Sequence, residues 1–244
     1  LYDLTSDPTE CTNLAEAHPE KVAELAAAWE QAAWANQVYP LEEGTNLKHI
    51  YRPDWVEQYE QPVTLQPGTP TLERWRSQRM LWGRGFTCTV ELDFNSGDEG
   101  VLVAHGDQGG GYLLSVQDDR LTFAHNDGHR MRRLDGGTLV SGTRRIVLDA
   151  TAPGGNVWHI SLSVDGEARA SDAGFPLFLT MAPFEGIDVG IDRRSPVDWS
   201  IYEAHGPFPW TGALEKVTYE PGTHAPDAPT RMIDVLEEMG AKFE

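Results

Sequence analysis

Within five positions, His125, Asn126, Asp127 and His129 form the densest chemistry-bearing cluster of the chain. Imidazoles beside a carboxylate can ligate a transition metal or move a proton. No further ligands stand at a spacing that would complete such a site, so the simpler reading is a strand end running into a glycine-containing turn. Oxygen ligands of the kind calcium takes recur at Asp188, Asp192 and Asp198, with Asn156 and Asp165 as candidates from other loops. EF-hand spacing is absent, and 38 acidic residues produce such groupings readily by chance. Arginines gather at Arg74, Arg76, Arg79 and Arg84, at Arg130, Arg132 and Arg133, and at Arg193 and Arg194. Their forked donors suit a sulfate or phosphate, although the surplus carboxylates offer internal partners. Arg193 and Arg194 are the more interesting pair, because they follow a predicted strand and lie between Asp192 and Asp198.

Eight tryptophans raise a different chemistry, the stacking of an indole on the apolar face of a sugar ring. Trp82, near Gly83 and Gly85, and Trp210, beside Pro209, have the most loop-like surroundings. With Arg193 and Arg194 they are the candidate ligand-binding residues. Packing is the competing and simpler explanation for both indoles, and Trp158, inside an apolar run, belongs to a core. No catalytic residue and no metal-ligand set is assigned.

These side chains need a scaffold, and the composition is that of a globular one: 244 residues, 40% hydrophobic and 23% charged. The 24 glycines and 16 prolines are scattered between short apolar runs, which favours a strand-rich and turn-rich body. A net charge of -19 repels phosphate backbones and anionic lipid headgroups, so neither nucleic acid nor a membrane is an expected partner. No stretch approaches the ~20 apolar residues of a membrane span. Cys11 and Cys88 lie far apart, giving neither a disulfide framework nor a paired zinc signature, while one disulfide or two free thiols both remain open. The chain starts at Leu1 with no initiator Met or export signal, and it reads as the middle of a longer protein whose localisation is open.

Helical signal is confined to the first stretch. Asn13 and Glu16 have capping-box spacing, Pro19 suits a first helical position, and Val22, Leu25, Ala26, Trp29, Ala32 and Ala33 recur at helical spacing. An amphipathic helix over about residues 19–36 follows, and its stripe needs a partner surface. Residues 39–70 lose all periodicity among Pro40, Pro53, Pro62, Pro67 and Pro70, and read as an irregular connector carrying Tyr39, Tyr51, Trp55 and Tyr59. Strands are predicted at Phe86–Phe94, Gly100–His105, Tyr112–Val116, Arg120–His125, Arg144–Ala150, Val157–Val164, Gly186–Ile191 and Ala213–Tyr219. Asp118–Asp119 and Asp165–Gly166 supply tight hairpin turns. The implied fold is mainly β, an antiparallel two-sheet sandwich of jelly-roll type over 71–222, preceded by the helix. Residues 223–244 form a tail with a short helix at Arg231–Met239.

Leu1-Tyr2-Asp3-Leu4, Asp7-Pro8, Glu10, Asn13-Leu14-Ala15 and Pro19 together resemble the segment that closes the catalytic region in the sulfatase family, within its smaller C-terminal subdomain. Gly100-Val101-Leu102, Gly110-Gly111-Tyr112, Asp188-Val189-Gly190 and Phe208 to Val217 are similar to a C-terminal extension of some bacterial arylsulfatases, and also to laminin-G-like and concanavalin-like sandwiches. The resemblance implies that residues 1–38 end a sulfatase subdomain and that an N-terminal catalytic domain, with its formylglycine and calcium, is the partner. Neither cysteine heads the C/S-x-P/A-x-R motif: Cys11 precedes Thr12 and Asn13, and Cys88 precedes Thr89 and Val90. The family's Asp-Asp metal pair is missing as well.

The expectation is therefore the non-catalytic C-terminal region of a sulfuric ester hydrolase, inactive as this chain and without a cofactor of its own. It would stabilise the enzyme and shape access for a sulfate ester. The alternatives are a carbohydrate-binding β-sandwich module, with a glycan as partner, and a packing or homo-oligomerisation domain.

Overall fold

Left-handed backbone at Asp118 and Asp119, at Gly155 and Asn156, and at Asp165 and Gly166 makes three tight two-residue turns, each joining adjacent antiparallel strands. Aspartate, asparagine and glycine tolerate positive φ best, which is why the sequence places them there. In the computed structural model the described residues are 1–36, 58–177 and 184–228. The chain divides into two compact units, Leu1–Arg52 and Pro53–Glu244.

In the first unit, carboxylates and an amide pin a series of turns. Asp7 accepts from the Cys11 and Thr12 amides at 3.1 and 2.7 Å, which holds its carboxyl below the usual carboxylate range. Asn13 accepts from the Leu1 amino terminus and from the Ala15 amide, at 3.1 and 3.0 Å. Asn13 is thus spent on a local turn and does not cap the helix. That helix, α1 (Pro19–Ala35), has His18 as its N-cap residue and Pro19 in its first turn. The stripe predicted on it leaves Val22, Leu25 and Trp29 exposed; Trp34 is exposed as well, and only Ala33 is buried.

The second unit is a sandwich of two antiparallel sheets. The strands are β1 (Val63–Leu65), β2 (Arg84–Phe94), β3 (Gly100–Asp107), β4 (Gly110–Gln117), β5 (Arg120–Asn126), β6 (Met131–Thr138), β7 (Gly142–Gly154), β8 (Val157–Val164), β9 (Glu167–Pro176), β10 (Ile187–Val189) and β11 (Ala213–His224). One sheet has the order β1-β11-β2-β7-β8-β9 and the other β10-β3-β4-β5-β6. Two helices join them, α2 (Arg74–Leu81) and α3 (Trp199–His205).

Alternation along β2 shows how the sheets meet: Phe86, Cys88, Val90, Leu92 and Phe94 are all buried, facing Ile146 and Leu148 of β7 along the ladder. Trp158 sits at the centre of this core, edge-on to Phe86, and donates its indole N–H to the Arg84 carbonyl at 2.8 Å. Tyr112 and Tyr219 reach across from opposite sheets and share a buried hydroxyl–hydroxyl bond of 2.8 Å. Each such large side chain stabilises the fold by about 1.5–3 kcal/mol on burial. Trp158 is thus a core residue, as its apolar run implies.

Six elements depart from the sequence reading: β1, α2, β6, β9, β10 and α3. The supposed connector contributes β1, because Val63–Leu65 pairs with Tyr219 to Val217 despite flanking prolines. The arginine-rich α2 forms because Glu73 accepts the Trp75 amide at 2.6 Å and Met80 and Leu81 are buried beneath it. β6 and β9 are polar strands lacking a clean apolar alternation, and their hairpin partners hold them. Predicted Gly186–Ile191 shortens to the three residues of β10. Both cysteines are free thiols. The predicted tail helix Arg231–Met239 lies outside the described residues.

Candidate functional site

β3 and β4 are buried on both faces of their sheet, and the reason lies in the chain after β10. Val101, Ala104, Leu113 and Ala124 point away from the main core and form a second apolar cluster with Val197 and Phe208. Residues 191–208 therefore fold back over the five-stranded sheet. The Val101 amide donates to the Phe208 carbonyl at 2.8 Å, and the Asn126 side-chain amide donates to the Val197 carbonyl at 3.1 Å.

This covering segment carries α3, which is fixed at both ends. At its start the buried Asp198 accepts from the Ser200 amide and hydroxyl, at 3.0 and 2.6 Å, and is ion-paired with Arg133 of β6. At its end Gly206 takes positive φ and donates its amide to Tyr202, while His205 stacks on Phe208 at 4.4 Å. What this scaffold presents is an aromatic pair. Trp199 is 50% exposed and stacks on Tyr202 at 5.5 Å with 27° between the rings. An exposed indole held by buried polar and apolar anchors offers a flat apolar surface at low entropic cost.

Beside the covering segment lies an acidic rim. Asp188 accepts from the Thr71 hydroxyl at 2.6 Å and from both the backbone and the guanidinium of Arg193, each at 2.9 Å. Asp107 accepts from the Gly109, Phe184 and Glu185 amides. Asp192 is buried and accepts the Val197 amide at 2.9 Å, and burial together with the charges of Asp188, Glu185 and Asp198 pushes its pKa up to about 7. Glu185 is shifted upward by burial as well. Among the described residues no group of three or more His, Cys, Asp or Glu side chains could hold a metal ion.

The sequence candidates fall in separate places. Arg193 is committed to Asp188, whereas Arg194 is exposed on a left-handed backbone and forms no ion pair among the described residues. Trp210 lies partly buried against the core and stacks on Phe94, and Trp82 is the partly buried C-cap residue of α2. Asp188 and Asp192 share the rim, Asp198 caps α3, and Asn156 and Asp165 occupy hairpin turns at opposite ends of the six-stranded sheet. His125 is buried against Trp158 and Phe175 with its ring nitrogen 3.1 Å from the Pro176 carbonyl, and burial lowers its pKa to about 4. Asp127 folds the following turn by accepting the His129 and Arg130 amides. That cluster is a strand end and a turn, as the simpler reading had it. The Arg74 guanidinium lies over the Trp75 and Phe184 rings. The residue that sequence reading passed over is Trp199; its signal was Asp198 as an N-cap, helical spacing to Tyr202, and Gly206 as a stop.

No family model and no curated protein matches the chain. Among solved structures, it is similar to the CBM40 of the Ruminococcus gnavus IT-sialidase bound to α2,3-sialyllactose, at 14% identity over 72% of this chain and 95% of the other, with a TM-score of 0.46. Mouse laminin α1 chain domains LG4-5 are similar at 12% identity over 68% of this chain and 41% of the other, TM-score 0.38. The Caenorhabditis elegans galectin LEC-6 is similar at 9% identity over 64% of this chain and 93% of the other, TM-score 0.37. These likenesses concern the backbone arrangement alone.

Proposed function

We propose that residues 58–228 act as a carbohydrate-binding β-sandwich module. The observation that carries this reading is the Trp199–Tyr202 stack, half open to solvent on a short helix that Asp198, Arg133 and Phe208 anchor to the sheet. An indole so placed stacks on the apolar face of a pyranose, and Glu203, four residues on along the same helix, stands to bond its hydroxyls. The net charge of -19 favours neutral or cationic glycans over sulfated or uronate-rich ones. The test is titration of oligosaccharides into the full chain, followed by tryptophan fluorescence, with Trp199→Ala as the comparison. Saturable quenching that vanishes in the variant supports the reading, and unchanged binding in a folded Trp199→Ala protein overturns it.

A second reading concerns residues 1–38, which we propose derive from the closing segment of a sulfatase C-terminal subdomain. Its support is the run from Leu1-Tyr2-Asp3-Leu4 to Pro19 together with the exposed Val22, Leu25 and Trp29 of α1, an apolar stripe that a larger enzyme would cover. Sequencing of the gene upstream of Leu1 tests it. A reading frame containing C/S-x-P/A-x-R supports the sulfatase origin, and an open frame without that motif sinks it.

A further inference from the structure

The outer face of the six-stranded sheet, on the other side of the sandwich from α3, carries a notch. Gly85 of β2 and Gly222 of β11 lie next to each other where the ladder slips between Pro221 and His224. Neither position has room for a side chain: a Cβ on Gly85 would stand 2.6 Å from the Ala150 carbonyl oxygen, and one on Gly222 would stand 2.9 Å from the Gly85 carbonyl oxygen. The surface is therefore cut back over a volume of about 210 Å³, walled by Thr87, Asp149, Thr151, Pro153 and Thr223.

The hydrogen bonds around the notch decide what it can take. The Thr87 hydroxyl donates to Asp149 Oδ1 at 2.8 Å, and the Thr151 hydroxyl donates to the His159 carbonyl at 3.5 Å. Both oxygens are left with lone pairs only. Among the described residues Asp149 Oδ2 receives no hydrogen bond, and the guanidiniums beside the walls are committed elsewhere, Arg84 donating to the Gly222 carbonyl at 2.8 and 2.6 Å and Arg145 to the Thr89 hydroxyl at 3.4 Å. Glu220, in register with Thr87 and through it with Asp149, adds a second carboxylate to the same transverse row. The notch is thus rich in acceptors and negative charge, with Pro153 and Ala152 as its apolar side.

We infer that this notch binds a primary ammonium group, with Asp149 as its counter-ion. An ammonium brings three donors and one positive charge, which matches the acceptors and the sign of the site. Two sources share this chemistry, an amino sugar and a simple alkylamine. The inference does not depend on the Trp199 platform.

The test is calorimetric or NMR titration of the full chain with glucosamine, N-acetylglucosamine and n-butylammonium. Glucosamine should bind, N-acetylglucosamine should bind at least about tenfold more weakly, and the affinity should fall with added salt. Equal affinity for n-butylammonium would assign recognition to the ammonium alone, and a preference for glucosamine would add the ring; either result supports the proposal. Asp149→Asn keeps the acceptor for Thr87 and should weaken glucosamine at least about tenfold, while Trp199→Ala leaves the shift of notch resonances unchanged. Thr223→Lys, which places an ammonium of the protein's own beside Asp149, should compete in the same way. Binding of N-acetylglucosamine as tight as that of glucosamine, or an undiminished affinity in folded Asp149→Asn, overturns it.

Discussion

The Asp192 carboxylate accepts the Val197 amide at 2.9 Å, and this bond ties off the loop that lays α3 over the five-stranded sheet. The Asp192 amide donates in turn to the Pro207 carbonyl at 3.1 Å, so one residue holds both limbs of the covering segment. Its side chain is 6% exposed, and a carboxylate in that setting is costly to ionise.

Stability should therefore depend on pH through Asp192. Its folded pKa is pushed up to about 7 from the ordinary aspartate value of 3.8, chiefly by burial. The folded state keeps this proton where the unfolded chain has lost it, so stability falls as pH rises from the unfolded to the folded pKa and levels off above. Asp192→Asn retains an acceptor for Val197 and removes the charge. Urea unfolding should show the variant more stable than wild type by on the order of 2–4 kcal/mol at about pH 8, with the gap closing at about pH 4. A gap independent of pH would refute the assignment.

Trp199→Ala should abolish glycan-induced quenching while changing stability by no more than about 0.5 kcal/mol, since half of this indole is already in solvent. Trp158→Ala is the matched control. It removes a fully buried ring and its bond to Arg84, and should cost about 3–5 kcal/mol in chemical denaturation. Similar losses for both would mean that Trp199 serves packing.

Arg133 acts on the platform through Asp198, which is 2% exposed. Arg133→Met leaves that buried carboxylate without its cation and should destabilise the protein by about 1–3 kcal/mol. Because the aromatic pair stays in place chemically, the affinity for glycan should fall while the maximal quenching at saturation is retained. Arg133→Lys, which restores the charge, should recover part of the affinity, and a variant as tight as wild type would show that α3 needs no such anchor.

The sandwich was legible where alternation was strong, as in β2 and β8, and where left-handed turn residues such as Asp118–Asp119 punctuated the chain. It was illegible where tertiary pairing overrides composition. Met131–Thr138 and Glu167–Pro176 become strands because β5 and β8 offer them hydrogen-bonding edges, although arginine, glycine and serine say little in advance. The aromatic platform was missed for a related reason: tryptophans beside Gly or Pro look loop-like, yet Trp210 is drawn onto Phe94, and the exposed indole is the one following a helix cap. Gly85 and Gly222, far apart in sequence, become a notch only once β2 and β11 pair.

Sulfatase chemistry needs a cysteine or serine converted to formylglycine at an accessible position, and neither thiol of this chain meets that need. Cys88 faces the core from β2, and burial pushes its thiol up to about 12, which keeps it protonated and unreactive at neutral pH. Cys11 is exposed, but Thr12, Asn13, Leu14 and Ala15 follow it in place of the x-P/A-x-R that the conversion requires. The purified chain should not hydrolyse a chromogenic aryl sulfate above the buffer rate, with or without added calcium. A disulfide-exchange reagent provides the structural half of the test: the native protein should titrate one thiol at once, and the second only in denaturant. Protein-dependent turnover surviving Cys11→Ser and Cys88→Ala would locate a different nucleophile, and prompt reaction of both thiols in the folded chain would contradict the buried placement of Cys88.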